Sequence, residues 1–362
     1  MKLFPALEKR YAKSNVSAYD AQRMAHEISF GPVVFQVARI MIKTGILQLL
    51  TDAQEGMTID EIVEKTKLSR YAVQVLMESS LTTGTVLYRE GRFEASKVGW
   101  FLLNDPLVKV DMDFNHDVNY LGWFRLEEAL LNGKPEGLKA FGDWATIYEG
   151  LSSLPEQVRK SWFAFDHYYS DRSFDEALRI IFAHNPRTLL DVGGNTGRWA
   201  LRCVDYDPDV KVTVMDLPQQ LELMKQHTAG AKGADRISGH GANLLDKTVP
   251  FPDGFDVIWM SQFLDCFSEE EVTGILARAA SSMTDAAVLF IMETLWDRQC
   301  FETAAYCLTQ ISLYFTALAN GNSKMYHSED LLRCVEAAGL TAETIHDGLG
   351  EGHSVIVCRK KR

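Results

Sequence analysis

Short apolar segments alternate with helical patterns through the second half of the chain, from about residue 176 onwards. Parallel strands need a long crossover between them, and a helix usually supplies it, so this alternation predicts a mostly parallel sheet with helices on both faces. The fold class that we predict for this part is therefore α/β, with a doubly wound sheet. The apolar segments are RTLLDVGG, KVTVMDL, FDVIWMS, AAVLFIMET and HSVIVCRK.

The first third of the chain predicts three helices followed by a hairpin. An apolar stripe at helical spacing ends where Gly45 interrupts the pattern, and its members are Val33, Val37, Ile40 and Met41. A second helix begins after Thr58, which forms a capping box with Glu61, and a third begins after Ser69. The segment TVLYREGRFEAS then predicts a hairpin. This order is typical of a winged helix.

A winged helix raises the hypothesis of DNA binding, which charge argues against. The third helix, residues 69–84, carries only Arg70 and Glu78 as charged residues, with Gln74 as a further polar group for base contacts. Binding in a major groove requires many cationic and amide side chains. A packing or dimerisation module is therefore favoured over a DNA-binding regulator.

Composition supports a soluble intracellular protein. The chain has 362 residues and a formal net charge of −12, which disfavours a protein that coats nucleic acid or an anionic membrane. Its six cysteines form no C-x-x-C pair, and neither a signal peptide nor a transmembrane run is present. We therefore expect a cytoplasmic protein with reduced thiols and no metal site.

The strongest functional signal is the glycine-rich turn Asp191-Val192-Gly193-Gly194-Asn195-Thr196-Gly197, which lies between a strand and a helix. Such a turn lets a ligand approach the backbone and the helix N-terminus. The dinucleotide pattern G-x-G-x-x-G fails, since residues 195 and 198 are Asn and Arg, and no phosphate-binding Gly-Lys-Ser/Thr sequence occurs.

A carboxylate at the end of the next strand completes this candidate site. Asp216 ends VTVMD, 25 residues after Asp191, where an acidic side chain accepts hydrogen bonds from ribose hydroxyls. The site thus favours a nucleoside without a phosphate group. S-adenosylmethionine (SAM) has this chemistry.

Several motifs together resemble the SAM-dependent O-methyltransferases of small aromatic natural products, the plant and bacterial type, from about residue 25 to the end. The motifs are DVGGNTG, VMDLPQQLE, Trp123 with LEEALLNGKPEG, FDHYYSDRS (similar to F-N-x-x-M-x-x-x-S), AAVLFIMET and CVEAAGL. The resemblance implies a Rossmann-like class I methyltransferase domain with a seven-stranded sheet. It also implies a homodimer formed through an N-terminal winged-helix domain, with residues of one protomer entering the other's substrate pocket.

Three regions follow from the resemblance and the patterns combined. Residues 1–110 form the winged-helix dimerisation domain, and residues 111–175 form a helical, aromatic-rich bridge that contributes to the substrate pocket. Residues 176–362 form the SAM-binding domain. SAM is the implied cofactor, S-adenosylhomocysteine (SAH) its product, and the partner is a small-molecule acceptor.

The resemblance also implies which residues hold the methionine part of SAM. Gly193, Gly194 and Gly197 line it, and Asp191 lies at the base of the glycine turn. Ser173 matches the serine that reaches the carboxylate of the cofactor.

Four further residues are implied for the nucleoside part of SAM. Asp216 holds the ribose and Leu217 packs on the adenine. Asn243 falls about where the family has an aspartate beside the adenine, and Phe267 stands where a tryptophan often covers that ring.

The catalytic segment departs from the family. The histidine of a V-L-H-D-W-S-D-E segment is the family's base, whereas this chain has Asp265 at that position in FLDCFSEE. FDVIWMS before it and the capping box of Ser268 with Glu271 after it fix the register. Reference pKa values of about 6.5 for His and 3.9 for Asp differ by about 3.5 kcal/mol of basicity. Burial would restore much of this basicity, whereas an exposed Asp265 would only cap or solvate a loop.

The residues that support the base are also changed in part. Glu293 matches a family carboxylate that orients the histidine, whereas Met325 stands where the family has a second glutamate. Substitute bases are His116, His167 and His327, and Cys266 is a further candidate nucleophile. The acceptor-binding residues that we predict are His116, Trp123, Tyr169 and Met325.

Two functions remain open from the sequence. In the first, the protein methylates a hydroxyl group of a small aromatic molecule, through Asp265 and Glu293 or through proximity alone. In the second, it binds SAM without transferring methyl and acts as a ligand-responsive module.

Overall fold

A computed structural model describes residues 5–361, which form two compact units. One unit comprises residues 9–116, and the other comprises residues 117–361 together with residues 5–8. The predicted division into three regions, with boundaries after residues 110 and 175, remains a prediction.

The unit of residues 9–116 contains helices and one two-stranded hairpin. Its elements, with α1 beginning before it, are α1 (Pro5–Tyr11), α2 (Ala18–Lys43), α3 (Ile46–Asp52), α4 (Ile59–Thr66), α5 (Arg70–Thr82), β1 (Val86–Arg89), β2 (Arg92–Ala95), α6 (Lys97–Asn104) and α7 (Pro106–Phe114). The predicted order of three helices and a hairpin is confirmed by α2, α4, α5 and the β1–β2 pair, and the short helix α3 lies between the first two predicted helices.

Local signals in the sequence set these helix ends. Gly45 adopts a φ of 77° between α2 and α3, a backbone conformation that glycine adopts without steric cost. Thr58 and Glu61 form the predicted capping box at the start of α4. The predicted stripe on α2 is not buried as a whole, because Met41 is buried whereas Val33 is 53% and Ile40 is 40% exposed.

The unit of residues 117–361 begins with helices and continues as an α/β sheet. Its elements are α8 (Leu126–Asn132), α9 (Ile147–Gly150), α10 (Glu156–Asp171), α11 (Phe174–Phe182), β3 (Thr188–Val192), α12 (Arg198–Tyr206), β4 (Lys211–Asp216), α13 (Pro218–Thr228), β5 (Ile237–Gly241), β6 (Val257–Ser261), α14 (Glu269–Ser282), β7 (Val288–Glu293), α15 (Glu302–Tyr314), α16 (Ser328–Ala337), β8 (Leu340–Leu349) and β9 (His353–Lys360).

The sheet has seven strands in the order β5-β4-β3-β6-β7-β9-β8. The first five in this order run parallel, and β9 pairs antiparallel with both β7 and β8. The predicted doubly wound, mostly parallel seven-stranded sheet is therefore confirmed. The five apolar segments form β3, β4, β6, β7 and β9, whereas the two edge strands β5 and β8 carry too few apolar residues for a clear signal.

Each face of the sheet packs against its own set of helices. Along β6, Val257 and Trp259 point into one core with α11 and α12, and Ile258 and Met260 point into the other with α14 and α16. Successive strand residues face opposite sides, so a strand buried on both faces is apolar throughout. This explains the unbroken apolar run in FDVIWMS.

The order of the strands places a crevice at the carboxyl ends of β3 and β6. From β3 the chain proceeds outward to β4 and β5, and it then returns to the other side of β3 as β6. Ligands of open α/β sheets bind at such a reversal, outside the carboxyl ends of the strands. The glycine turn after β3 and the segment of Asp265 after β6 both lie at this edge.

No single helix among residues 5–361 is both long and apolar enough to cross a membrane, although α2 and α3 pass that test together as a pair bent by 64°.

We predict that Ser268→Ala lowers the thermal unfolding midpoint by about 2 °C. Ser268 caps α14, where its hydroxyl accepts a hydrogen bond from the Glu271 amide at 3.3 Å, and a lost cap costs about 1 kcal/mol. Circular dichroism measures the midpoint. The control is Ser281→Ala, an exposed serine whose hydroxyl donates only to Ala277 O within α14. Equal midpoints for the two variants would contradict a stabilising cap.

Candidate functional site

The turn after β3 is built so that two of its glycines have no room for a side chain. Gly193 has a φ of 73°, and a Cβ there would lie 2.3 Å from the ring of Phe263. A Cβ on Gly194 would lie 2.4 Å from Asp191 Oδ2. Gly197 ends the turn as the N-cap of α12. The predicted turn thus brings its backbone close to Asp191 and to the segment after β6.

Asp216 fastens this turn to the end of β4. Its Oδ2 accepts a hydrogen bond from the Asn195 amide at 2.8 Å, and its Oδ1 accepts one from the Leu217 amide at 2.7 Å. Burial raises the pKa of Asp216, while these two amide donors act in the opposite direction. Leu217 is half-buried at the start of α13. The carboxylate is held in place with lone pairs left for further donors.

Asn243 lies in the segment after β5, close to the end of β4, and its side chain is exposed. The Ala242 amide donates to Asp216 O at 2.9 Å, which places the segment after β5 next to β4. Asn243 Oδ1 accepts from the Leu245 amide at 3.0 Å, whereas the neighbouring Leu244 is buried. The side chain of Asn243 therefore serves a local turn in this structure.

Three buried oxygens at this edge of the sheet have no hydrogen-bond donor: Asp191 Oδ2, Asn195 Oδ1 and Gln262 Oε1. Burial, followed by the negative charge of Asp216, raises the pKa of Asp191 to about 8. Buried polar atoms are rarely left without a partner, because each lost hydrogen bond costs free energy. These oxygens fit a ligand that brings N–H or O–H donors and positive charge.

Asp265 is 5% exposed, in a short 3₁₀ turn (Leu264–Cys266) after β6. Glu293 at the end of β7 holds this turn, since its Oε1 accepts from the amides of Phe263 at 3.1 Å and Leu264 at 2.8 Å. Asn320 Nδ2 donates to Cys266 O on the other side. The structure thus brings the two predicted catalytic carboxyl groups, Asp265 and Glu293, into one centre.

The two carboxyl groups differ in how strongly burial affects them. Burial raises the pKa of Asp265 to about 6. The pKa of Glu293 lies well above its usual range, because of burial and then because of the negative charge of Asp265. Glu293 Oε2 is buried without a hydrogen-bond partner. Two adjacent buried carboxyl groups disfavour a state in which both are ionised.

Three side chains near Asp265 were not predicted from the sequence. The Tyr148 hydroxyl donates to Cys266 Sγ at 2.9 Å, and the Cys266 thiol donates to Asp265 Oδ1 at 3.4 Å. Burial followed by Asp265 raises the pKa of Cys266, which disfavours a nucleophilic thiolate. Asp166 on α10 and Tyr314 at the end of α15 interact electrostatically with Asp265. Asp166 alone carried a signal, as part of FDHYYSDRS.

The remaining predicted cofactor residues lie in two places. Phe267 is buried, and its ring contacts that of Phe263 at 4.8 Å between centroids. Ser173 is fully buried, and its hydroxyl lies 2.8 Å from His353 Nδ1. Burial lowers the pKa of His353 to about 4, so the imidazole is neutral. Sequence spacing gave no signal for this pair, whose members are 180 positions apart.

The predicted acceptor residues are spread over both units. Tyr169 is buried on α10, and Trp123 is half-buried in a 3₁₀ turn (Gly122–Arg125). Met325 is buried, and Thr294 Oγ1 lies 3.4 Å from its Sδ, so Met325 does lie near the end of β7. His116 belongs to the unit of residues 9–116, and its role as a binding residue or a base stays a prediction.

The two other candidate bases have environments of their own. His327 is buried and caps α16, where its Nδ1 accepts from the Glu329 amide at 3.1 Å. His167 follows Asp166 on α10, and burial lowers its pKa to about 4. Within the part of the chain that the structure describes, no three His, Cys, Asp or Glu side chains group as metal ligands.

Comparisons with known proteins connect this geometry to a family. A Dimerisation2-like domain model matches residues 22–93, and an O-methyltransferase domain model matches residues 123–339. The L-tyrosine C(3)-methyltransferase of Streptomyces lavendulae is 22% identical over 92% of this chain and 91% of its own length. The mitomycin biosynthesis 6-O-methyltransferase of the same organism is 23% identical over 89% and 90%.

Solved structures show the same fold over nearly the whole chain. The mitomycin 7-O-methyltransferase superposes with a TM-score of 0.70 at 20% identity, covering 94% of this chain and 98% of that one. Human N-acetylserotonin methyltransferase, solved in complex with SAM, superposes with a TM-score of 0.66 at 18% identity, covering 97% and 100%.

We predict that Asp191→Asn raises the unfolding midpoint of the unliganded protein at pH 8 by about 2 °C. In the unfolded chain Asp191 ionises near its ordinary pKa of 3.8, whereas in the fold it keeps its proton up to about pH 8. The folded state then binds more protons between these values, so this carboxyl lowers the free energy of unfolding as the pH rises from about 4 to about 8. The uncharged side chain of an asparagine does not titrate, so Asp191→Asn removes this fall in the free energy of unfolding.

Thermal scans at pH 5 and pH 8 test this prediction. The advantage of Asp191→Asn over the wild type should be smaller at pH 5, where both side chains are neutral in the fold. The exposed Asp285→Asn serves as the matched control and should show no such pH-dependent difference. An Asp191→Asn variant that is less stable than the wild type at pH 8 would contradict the prediction that the buried carboxyl group of Asp191 destabilises the fold at that pH.

Proposed function

Because this chain belongs to the O-methyltransferase domain family, we propose that it is an enzyme that transfers the methyl group of SAM to a hydroxyl group of a small aromatic molecule. The observation that carries the proposal is the set of three unpartnered oxygens around the glycine turn, beside a fixed Asp216. These acceptors face a ligand at the sheet edge where the matched family places its chemistry.

The donor set of the site fits SAM and disfavours a phosphate-bearing nucleotide. A ribose offers two hydroxyl donors to Asp216, and the ammonium group of the methionine part offers N–H donors to oxygens such as those of Asp191 and Gln262. The carboxylate of Asp216 would repel a phosphate. In this assignment the glycine turn lines the methionine part, as Gly193, Gly194 and Gly197 are predicted to do.

Asp265 is the proposed base. When bound, SAM supplies a methyl group on a positively charged sulfur. Asp265 takes the proton of the acceptor hydroxyl as the new bond forms, and a base works best when its pKa lies near the working pH. With its pKa raised to about 6, Asp265 comes close to the reference value of about 6.5 for a histidine. Burial thus offsets most of the basicity lost by the substitution.

Glu293 acts as a positioning residue for Asp265. It fixes the backbone of Phe263 and Leu264 through one oxygen, and burial and then the charge of Asp265 raise its pKa. Two adjacent carboxylates repel each other, so the pair favours one negative charge over two. Met325, where the family has a second glutamate, adds no further charge near this pair.

Aromatic side chains favour an aromatic acceptor. Trp162 Nε1 donates to the Tyr314 hydroxyl at 2.7 Å, and Tyr169 packs beside Phe165 at 5.1 Å between ring centroids. Flat apolar walls of this type suit aromatic ligands. The matched relatives include enzymes named for tyrosine and for 3-hydroxy-5-methyl-1-naphthoate, both of which are phenols.

We further propose that the protein is a homodimer formed through α2. Large apolar side chains on this helix remain exposed in the single chain, among them Tyr19, Met24, Ile28, Phe30 and Val33. An exposed apolar surface of this kind marks an interaction site. The Dimerisation2-like model begins at residue 22 and includes most of the helix. A partner protomer would also supply the residues that are expected to enter the substrate pocket.

We predict that the purified protein binds SAM and SAH with micromolar dissociation constants, and that Asp216→Ala weakens both at least about tenfold. The carboxylate accepts the ribose hydroxyls, and a lost charged hydrogen bond costs about 1.5–3 kcal/mol. Isothermal titration calorimetry measures the constants, with Asp285→Asn as the control that should bind as the wild type does. Absence of SAM binding to the wild type would overturn the proposed function.

We predict that Asp265→Asn lowers kcat by about 100-fold or more with any phenol of an acceptor panel that the wild type methylates. The wild-type rate should fall as the pH drops through about 6, because protonated Asp265 accepts no proton. The titratable groups that interact with Asp265 are Glu293, Asp166, Cys266, Tyr148, Tyr314 and Tyr326.

Asp265→His and Asp285→Asn are the matched comparisons for this prediction. The histidine variant should keep most of the activity, because it supplies a base of similar pKa, and Asp285→Asn should behave as the wild type. Retained activity in Asp265→Asn would show that transfer proceeds by proximity alone. A wild type that binds SAM but methylates nothing in a broad panel would favour the ligand-responsive module instead.

A further inference from the structure

Asp166 on α10 and Asp265 after β6 interact electrostatically with each other and with the same aromatic side chain, Tyr314. Asp166 follows Trp162 by four residues on α10, so both lie on one face of that helix. Trp162 Nε1 donates a hydrogen bond to the Tyr314 hydroxyl, and the negative charges of Asp166 and Asp265 both act on that hydroxyl. Tyr148 closes the other side through Cys266, next to Asp265. We refer to Asp166, Asp265, Tyr148, Trp162 and Tyr314 as the acidic recess.

One cation among the described side chains acts on Asp166. Arg198 lowers the pKa of Asp166, but its guanidinium is hydrogen-bonded by Asp171. His167 is neutral, since burial lowers its pKa to about 4. Asp166 keeps 29% of its side chain accessible, yet burial and then Asp265 raise its pKa to about 7. Arg198 therefore offsets the negative charge around Asp166 only in part.

A second observation also points to a missing ligand. Glu293 is 2% exposed, its Oε2 has no hydrogen-bond partner, and the negative charge of Asp265 acts on this carboxyl group. The charges here are distinct from those of the proposed SAM site. Asp191 interacts with Asp216, whereas Asp265 interacts with Glu293 and Asp166. The edge of the sheet thus carries two acidic centres, and the methyl donor accounts for one of them.

We propose that the acceptor is a phenol that also carries a protonated amine, and that Asp166 is the side chain that selects it. This inference rests on the proposed function, because it names the acceptor of that same site. The pattern F-N-x-x-M-x-x-x-S has asparagine where this chain has Asp166. The two side chains have the same number of heavy atoms, so the ionised Asp166 differs from that asparagine chiefly by one negative charge.

The chemistry of the acidic recess favours an ammonium group over other substituents. An ammonium donates hydrogen bonds to a carboxylate and is attracted to the faces of aromatic rings such as those of Tyr314 and Trp162. A neutral substituent leaves the carboxylate of Asp166 buried and unpaired, and an acidic substituent is repelled by it. The preference should therefore follow the charge of the ligand rather than its ring.

Binding of three phenols that differ in one group tests this inference. The probes are tyramine, 4-ethylphenol and 3-(4-hydroxyphenyl)propionate, which are cationic, neutral and anionic. Each is titrated calorimetrically into wild type, Asp166→Asn and Asp285→Asn in the presence of saturating SAH, whose sulfur is uncharged. We expect tyramine to bind the wild type and Asp285→Asn at least about tenfold more tightly than 4-ethylphenol, with the propionate weakest. Asp166→Asn should reduce the preference to about threefold or less.

The outcomes separate this inference from the proposed function. Equal binding of tyramine and 4-ethylphenol to the wild type would overturn the inference without any variant being needed. A preference for tyramine that survives in Asp166→Asn would overturn the role of Asp166. Methyl transfer confined to neutral phenols would overturn the inference while the enzyme function stands. Loss of the proposed function shows itself separately, as failure of the wild type to bind SAM.

Discussion

Four acidic side chains lie together at the carboxyl edge of the parallel sheet, and the rest of the site depends on the hydrogen bonds and the burial of these four groups. Asp191, Asp216, Asp265 and Glu293 come from the ends of β3, β4, β6 and β7 or directly after them, and parallel strands bring those ends together. Asp216 and Glu293 accept backbone amides and fix two loops. Burial raises the pKa of Asp191 to about 8 and that of Asp265 to about 6.

The four carboxyl groups fall into two pairs, one that fixes loops and one whose charge depends on a ligand. The two carboxyl groups that bind backbone amides set geometry: Asp216 joins the glycine turn to β4, and Glu293 joins β7 to the segment that carries Asp265. For Asp191 and Asp265 burial is the dominant influence, and a ligand would change their charge because an unpaired buried charge is costly. In the proposed function, SAM and the acceptor address these two groups in turn. The proposed use of Asp265 as a base in place of a histidine depends on the burial that raises the pKa of its carboxyl group.

Most of the fold and about half of the site could be predicted from the sequence. Two-faced burial makes β3, β4, β6 and β7 continuously apolar, and capping boxes mark the starts of α4 and α14, so these elements and the register of Asp265 were readable. Edge strands β5 and β8 were not, because one side of each faces water. Contacts between residues far apart in the sequence could not be predicted either, such as the hydrogen bonds between Tyr148 and Cys266 and between Ser173 and His353. Asp166 stood in a recognised motif, but only the fold brings it to Asp265.

The absence of a side chain at Gly193 has a mechanical consequence. The ring of Phe263 occupies the space that a Cβ there would need, and the backbone of Phe263 belongs to the segment held by Glu293. The glycine turn and the segment that carries Asp265 therefore touch through one aromatic ring, and a rearrangement of either one would require the other to shift. Under the proposed function, the departure of SAH would in this way be transmitted to the segment that carries the proposed base.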